Sequence, residues 1–185
     1  MVKIFIFRHG ETYDNKHHDF SGWRNVDLDE AGIIEAQKIR DALKDENVNK
    51  AYQSDLIRSQ TTLQIVLEGH ENVDIVTDTR IKERDYGDLT ALSKDEIALN
   101  DPEAFKSWHR SYETPPPNGE SIKDVEERVL SFLAEELPKW KANDVVFISA
   151  HGNSIRAMRR FFENISIEEM CSYENIPSKI YEYTI

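Results

Sequence analysis

The sequence predicts a three-layer α/β/α domain built on a mostly parallel, mixed sheet. Residues 2–7 (VKIFIF) and 145–149 (VVFIS) are short, β-branched and aromatic runs, as strands buried on both faces are. Between and after them lie segments whose apolar residues recur at helical spacing. Strand and helix patterns alternate along the chain, which calls for parallel strands with helices covering both faces. At 185 residues, without repeats, low-complexity tracts or a Gly/Ser linker, the chain reads as one domain spanning 1–185.

The elements follow in order. After the first strand, Ile33, Ala36, Ile39 and Leu43 mark a helix from Asp29 to Leu43, with Gly32 interrupting its first turn. Residues 50–53 form a short strand, and a helix runs from about Asp55 to Leu67 with Ser54 as its N-cap. Residues 73–77 (VDIVT) form the third strand. Ser93-x-x-Glu96 and Ser166-x-x-Glu169 have the spacing of capping boxes at helix starts. Val125, Val129, Phe132, Leu133 and Leu137 define a long amphipathic helix. The strand at 145–149 leads into a helix from Asn153 to Phe162, and Ile180 to Ile185 alternate as an edge strand. The stretch 78–121 breaks the rhythm with two short helices and the stiff loop Thr114 to Gly119 (TPPPNG). It reads as an insertion that forms a lid or pocket wall.

Composition narrows the function. Lys and Arg number 23 against 35 Asp and Glu, a formal charge of −12, which argues against a nucleic-acid surface. A small anion is still accommodated if a few cations gather in one cleft. The single cysteine, Cys171, has no intrachain partner, and no run is long and apolar enough for a leader or a span. The expectation is a soluble, acidic, cytoplasmic protein.

The carboxyl ends of parallel strands are where open α/β sheets bind ligands. Here strand one ends in Arg8-His9-Gly10, strand two leads into a helix whose first turn holds Arg58, and the strand at 145–149 ends in Ala150-His151-Gly152-Asn153. Two imidazoles and two guanidiniums thus meet at one edge, beside helix starts whose free N–H groups favour anions. Arg clamps phosphate oxygens in bidentate fashion, and an imidazole can attack phosphorus without a metal when fixed donors neutralise the transferring oxygens. Glu83, just after strand three, is the best-placed carboxylate to protonate a leaving oxygen.

Each residue alone has a plainer explanation. A histidine at a strand end is commonly satisfied by backbone, Arg58 alone would be a solvated helix residue, and Glu83 sits in the charge run Lys82 to Asp85 of a surface turn. The pairing of His9 with His151 at equivalent strand–helix junctions favours chemistry. His17 and His18 read as a surface loop, and Arg156, Arg159 and Arg160 as a solvated helical face. There is no G-x-x-x-x-G-K-[ST], G-x-G-x-x-G or G-x-S-x-G.

The ordered set resembles the histidine phosphatase superfamily, and within it the cofactor-dependent phosphoglycerate mutase branch. The resemblance rests on Arg8-His9-Gly10, Phe20-Ser21-Gly22-Trp23, Ser54-Asp55-Leu56-x-Arg58, Glu83 to Gly87 with Lys94, Trp108 to Tyr112, Pro115 to Ser121, and Ala150 to Ser154 with Arg156. It implies a phosphoglycerate mutase-like fold, with His9 as the phosphorylated nucleophile and Glu83 as proton donor and acceptor. Arg8, Arg58 and His151 would hold the phosphoryl group, with Asn15, Ser21, Gly22, Gly152 and Asn153 near it. Arg84, Tyr86, Lys94, His109 and Arg110 would bind the carboxylate and second phosphate of a small phosphorylated metabolite. The implied cofactor is 2,3-bisphosphoglycerate as priming donor, without a metal, and the implied assembly is a homodimer, with neither nucleic acid nor membrane as partner.

Four positions depart from the branch. Asp85 stands where histidine is usual, and His109 where the first of two arginines is usual. Only Asn118 separates Pro117 from Gly119, and the chain stops soon after its last strand. A less enclosed site admits water, which competes with glycerate for a phosphohistidine. The expectation is isomerisation of 3- and 2-phosphoglycerate in glycolysis and gluconeogenesis, with phosphomonoester hydrolysis as the alternative.

Overall fold

A computed structural model describes residues 1–185. Strand β1 (Lys3–Arg8) is followed by the short helix α1 (Tyr13–Lys16), then α2 (Glu30–Leu43), β2 (Lys50–Gln53), α3 (Ile57–Val66) and β3 (Asp74–Thr77). After two 3-10 turns come α4 (Lys94–Asn100), α5 (Pro102–Arg110) and the long α6 (Ile122–Glu136). The chain ends with β4 (Val145–Ala150), α7 (Gly152–Glu163), α8 (Ile167–Ser172) and β5 (Ile180–Thr184). The sheet order is β3-β2-β4-β1-β5, parallel except for the antiparallel edge strand β5.

The two-residue period of β1 and β4 divides the core. Ile4, Ile6, Val146 and Ile148 face one way and pack with Val125, Val129, Phe132 and Leu133 of α6 and Ile155 and Met158 of α7. Phe5, Phe7, Val145 and Phe147 face the other way, onto Ile39 and Leu43 of α2 and Leu63 and Val66 of α3. All of these side chains are buried, so both long strands are continuous apolar runs.

The central pair fixes the site. In the parallel register of β1 and β4, Arg8 stands opposite Ala150, so His9 and His151 leave the same sheet edge side by side. Gly32 explains its own place in a helical pattern: a Cβ there would lie 2.1 Å from the Glu11 carbonyl oxygen. The start of α2 therefore presses directly on the loop after His9.

One local expectation is corrected. Helix α3 begins at Ile57 with Leu56 at its N-cap, so Ser54 does not cap it. The Ser54 hydroxyl accepts from the Leu56 N–H at 3.2 Å and turns toward His151 instead. The stretch 78–121 packs onto Phe20, which is buried with Tyr86 and Leu89 against Ile97, Phe105 and Trp108. No helix is long and apolar enough to cross a membrane.

Candidate active site

His9 is buried at the end of β1. Its Nδ1 donates to the Gly10 carbonyl at 2.8 Å, which leaves the lone pair on Nε2. Arg58 approaches that nitrogen from the first turn of α3, with Nε 3.3 Å from Nε2. The guanidinium is fixed by the Arg24 carbonyl at 2.7 Å and the Gly22 carbonyl at 2.8 Å. Burial, with Arg8, Arg58 and His151 close by, holds the His9 imidazole well below its usual range and therefore neutral.

His151 caps the other side, its ring centroid 5.0 Å from that of His9. The Ser54 hydroxyl lies 2.7 Å from its Nε2. With Ser54 donating, the ring proton sits on Nδ1, which has no partner among the protein's own groups. Burial, then Arg58 and Arg8, keep this imidazole neutral as well.

Glu83 is held against the start of α7. Its carboxylate accepts from the Arg84 N–H at 2.7 Å, the Gly152 N–H at 3.1 Å and the Asn153 side-chain amide at 2.8 Å. Burial pushes this carboxyl up, but those donors together with Arg58 and Arg8 pull it down to about 2. The backbone behind it is held by Trp23 and Arg128, which both donate to the Glu83 carbonyl.

Arg8 and Glu83 open onto a polar cavity of about 350 Å³, whose lining does not include the buried His9, Arg58 and His151. Arg8, Asn15, Ser21, Gly22, Glu83, Tyr86, Lys94, His109, Arg110, Gly152 and Asn153 line it. Arg8 Nε and Ser21 Oγ are buried without a protein partner, like Nδ1 of His151. Buried donors of this kind need an acceptor, and a phosphoryl group supplies three oxygens. The set therefore suits covalent phosphoryl transfer: an unprotonated ring nitrogen, cations around it and a carboxyl opposite.

A family model, that of the histidine phosphatase superfamily (branch 1), matches residues 4–184. The chain belongs to this superfamily. A protein of Parvibaculum lavamentivorans named 2,3-bisphosphoglycerate-dependent phosphoglycerate mutase is 39% identical over 173 residues, covering 90% of this chain and 82% of its own. A Nitrobacter hamburgensis protein of the same name is 38% identical over 177 residues, covering 92% and 86%. Among solved structures, Bacillus stearothermophilus YhfR superimposes with a TM-score of 0.88 at 26% identity, over 98% of this chain and 90% of its own. The α-ribazole phosphatase of Shigella flexneri shares the fold, with a TM-score of 0.87 at 23% identity, over 99% and 90%.

Two arginines sit otherwise than expected. Arg84 does not reach the cavity. It is fully buried and spends its guanidinium on backbone carbonyls, those of Glu120 at 2.6 Å, Trp108 at 2.8 Å and Thr114 at 3.3 Å. It ties the end of α5 and the proline loop together instead of binding substrate. Arg156 is no solvated residue: it is buried, lines the cavity, and donates to Asn153 Oδ1 at 3.0 Å and to the Tyr173 carbonyl at 2.7 Å. Arg159 and Arg160 are paired with Glu163 and the buried Glu126, so the helix carries no free basic face.

The cavity also includes residues outside the predicted site, among them His18, which the sequence places in a surface loop. Glu11, His18 and Asp19 line it, as do Glu174 and Asn175 from the segment between α8 and β5. Arg156 had a readable signal, because it stands three residues beyond Asn153 and so shares its helix face. Glu174 and Asn175 belong to irregular backbone and had none. His109 is pushed down to about 3, by burial first and then by Arg110, Lys94 and Arg156. Burial outweighs the like charges.

Proposed function

We propose that the protein is a 2,3-bisphosphoglycerate-dependent phosphoglycerate mutase of glycolysis and gluconeogenesis, acting through phospho-His9. The observation that carries this reading is the neutral His9 ring, its Nε2 lone pair beside Arg58 and its neighbour His151 carrying an unpartnered Nδ1. The names of relatives near 38% identity support the choice of substrate.

Nε2 of His9 attacks phosphorus, and the bond from phosphorus to the glycerate oxygen breaks. Arg8, Arg58 and His151 take the charge on the three transferring oxygens. The leaving oxygen receives a proton from Glu83. That proton enters with the substrate, since a phosphomonoester has a second pKa of about 6, and the arriving anion offsets the cations that keep Glu83 ionised. In the other half-reaction the free hydroxyl of a bound phosphoglycerate attacks the phosphorus of phospho-His9, the Nε2–phosphorus bond breaks, and the hydroxyl proton passes to Glu83. When bound, 2,3-bisphosphoglycerate supplies the phosphoryl group that primes His9. The unpartnered atoms of Arg8, Ser21 and His151 fit one of its phosphates, and Lys94, Arg110 and Arg156 supply cations for the other end.

Hydrolysis of a small phosphomonoester is the second reading. Its support is the neutral His109, which contributes no permanent charge to the second anion subsite. The test is product analysis from 3-phosphoglycerate, following 2-phosphoglycerate and free phosphate together, with and without bisphosphate. Bisphosphate-dependent 2-phosphoglycerate as the main product is expected. Steady phosphate release with no 2-phosphoglycerate would establish the phosphatase instead.

A further inference from the structure

The cavity already contains an anion of its own where a second anionic group would sit. Glu174 lies on the segment joining α8 to β5, and its Oε1 accepts from Arg110 Nη2 at 2.6 Å. Arg110 is one of the cations that line the cavity, and Glu174 lines it too. The segment is pinned on both sides of Glu174. Arg156 donates twice to the Tyr173 carbonyl, at 2.9 and 2.7 Å, and the Asn175 amide lies so close to Gly152 that a Cβ there would stand 2.9 Å from it. The side chain itself is free to leave: it is 77% exposed, whereas Arg110 is 26% exposed.

We propose that Glu174 is a specificity-determining residue, an internal stand-in for the second anionic group of the substrate that ligands with two anionic ends must displace from Arg110. An exposed ion pair is weak, so a carboxylate tethered through a bound phosphate can replace it. A ligand with one anionic group leaves the pair in place. Displacement carries a cost only for ligands that use Arg110, and the freed carboxylate then stands near an anion of like charge. Glu174 thereby lowers the advantage of two-ended ligands over simple phosphomonoesters. This inference rests on the phosphoryl site assigned above, but not on whether the bound ester is isomerised or hydrolysed.

The test compares two phosphonates that do not turn over: 3-phosphonopropionate, with a carboxylate, and propylphosphonate, without one. Their dissociation constants are measured by titration calorimetry on the intact wild-type protein and on Glu174→Gln. The substitution should tighten 3-phosphonopropionate relative to propylphosphonate by about 5- to 20-fold. In an Arg110→Gln background the same substitution should change that ratio by less than about threefold, because the two residues act as a pair. Equal tightening of both ligands, or an unchanged ratio, would overturn the inference while leaving the phosphoryl site intact. Absence of binding by both phosphonates to either protein would overturn it together with that site.

Discussion

Nε of Arg58 points at Nε2 of His9 from 3.3 Å, and both side chains are buried. A guanidinium cannot give up its proton, so the imidazole must accept, and it accepts only while neutral. The same cation that will hold a phosphoryl oxygen thus keeps the nucleophile in its reactive form.

One consequence is a particular dependence of stability on pH. His9 and His151 both titrate well below the usual histidine value when folded. Below about pH 6.5 the unfolded chain takes up protons that the folded one refuses, so stability falls as pH falls. Each group contributes up to about 1.4 kcal/mol per pH unit in that window, and neither contributes between pH 7 and 8. Urea denaturation from pH 8 to 5 should show this bend. His151→Asn should make it shallower, whereas a slope unchanged by that substitution would contradict the assignment.

Glu83→Gln keeps the shape of the side chain but has no carboxyl proton to deliver. Turnover should fall by about 10²–10⁴, with KM changed far less. Steady-state kinetics with 3-phosphoglycerate separates the two. A rise in KM with turnover intact would make Glu83 a binding residue.

Arg84 should behave as structure, not as substrate ligand. Arg84→Ala leaves the carbonyls of Trp108, Glu120 and Thr114 without their shared donor, and should cost at least about 3 kcal/mol in urea denaturation. Arg84→Lys should not restore it, because an ammonium cannot reproduce the planar fork. Weakened substrate binding at undiminished stability would show that the arginine reaches substrate after all.

Much of this was legible in the sequence, and the reason is the sheet. Two unmistakable strands, each ending in His-Gly, place His9 and His151 together once they are neighbours in a parallel sheet, and Arg58 follows from the short strand between them in sequence. Glu83 was readable from the resemblance and from its place shortly after β3, not from being the first carboxylate there, which is Asp78. Arg84, its neighbour, was misread because adjacent side chains on non-helical backbone leave in different directions, and only tertiary structure says which one meets the cavity. Ser54 looked like a cap because serine before a helix usually is one; its hydroxyl was claimed by His151, half the chain away. Glu174 could not be found, since an acidic residue in a loop of an acidic protein has no distinguishing pattern.

The most direct test of the account is whether His9 itself carries the phosphoryl group. Intact-mass measurement after incubation with 2,3-bisphosphoglycerate should show one added phosphoryl group on the wild-type protein, stable to base and lost in acid. Peptide mapping should place it on His9, and His9→Ala should show no adduct and no transfer. An acid-labile adduct that persists in His9→Ala, or turnover by that variant, would contradict the central claim.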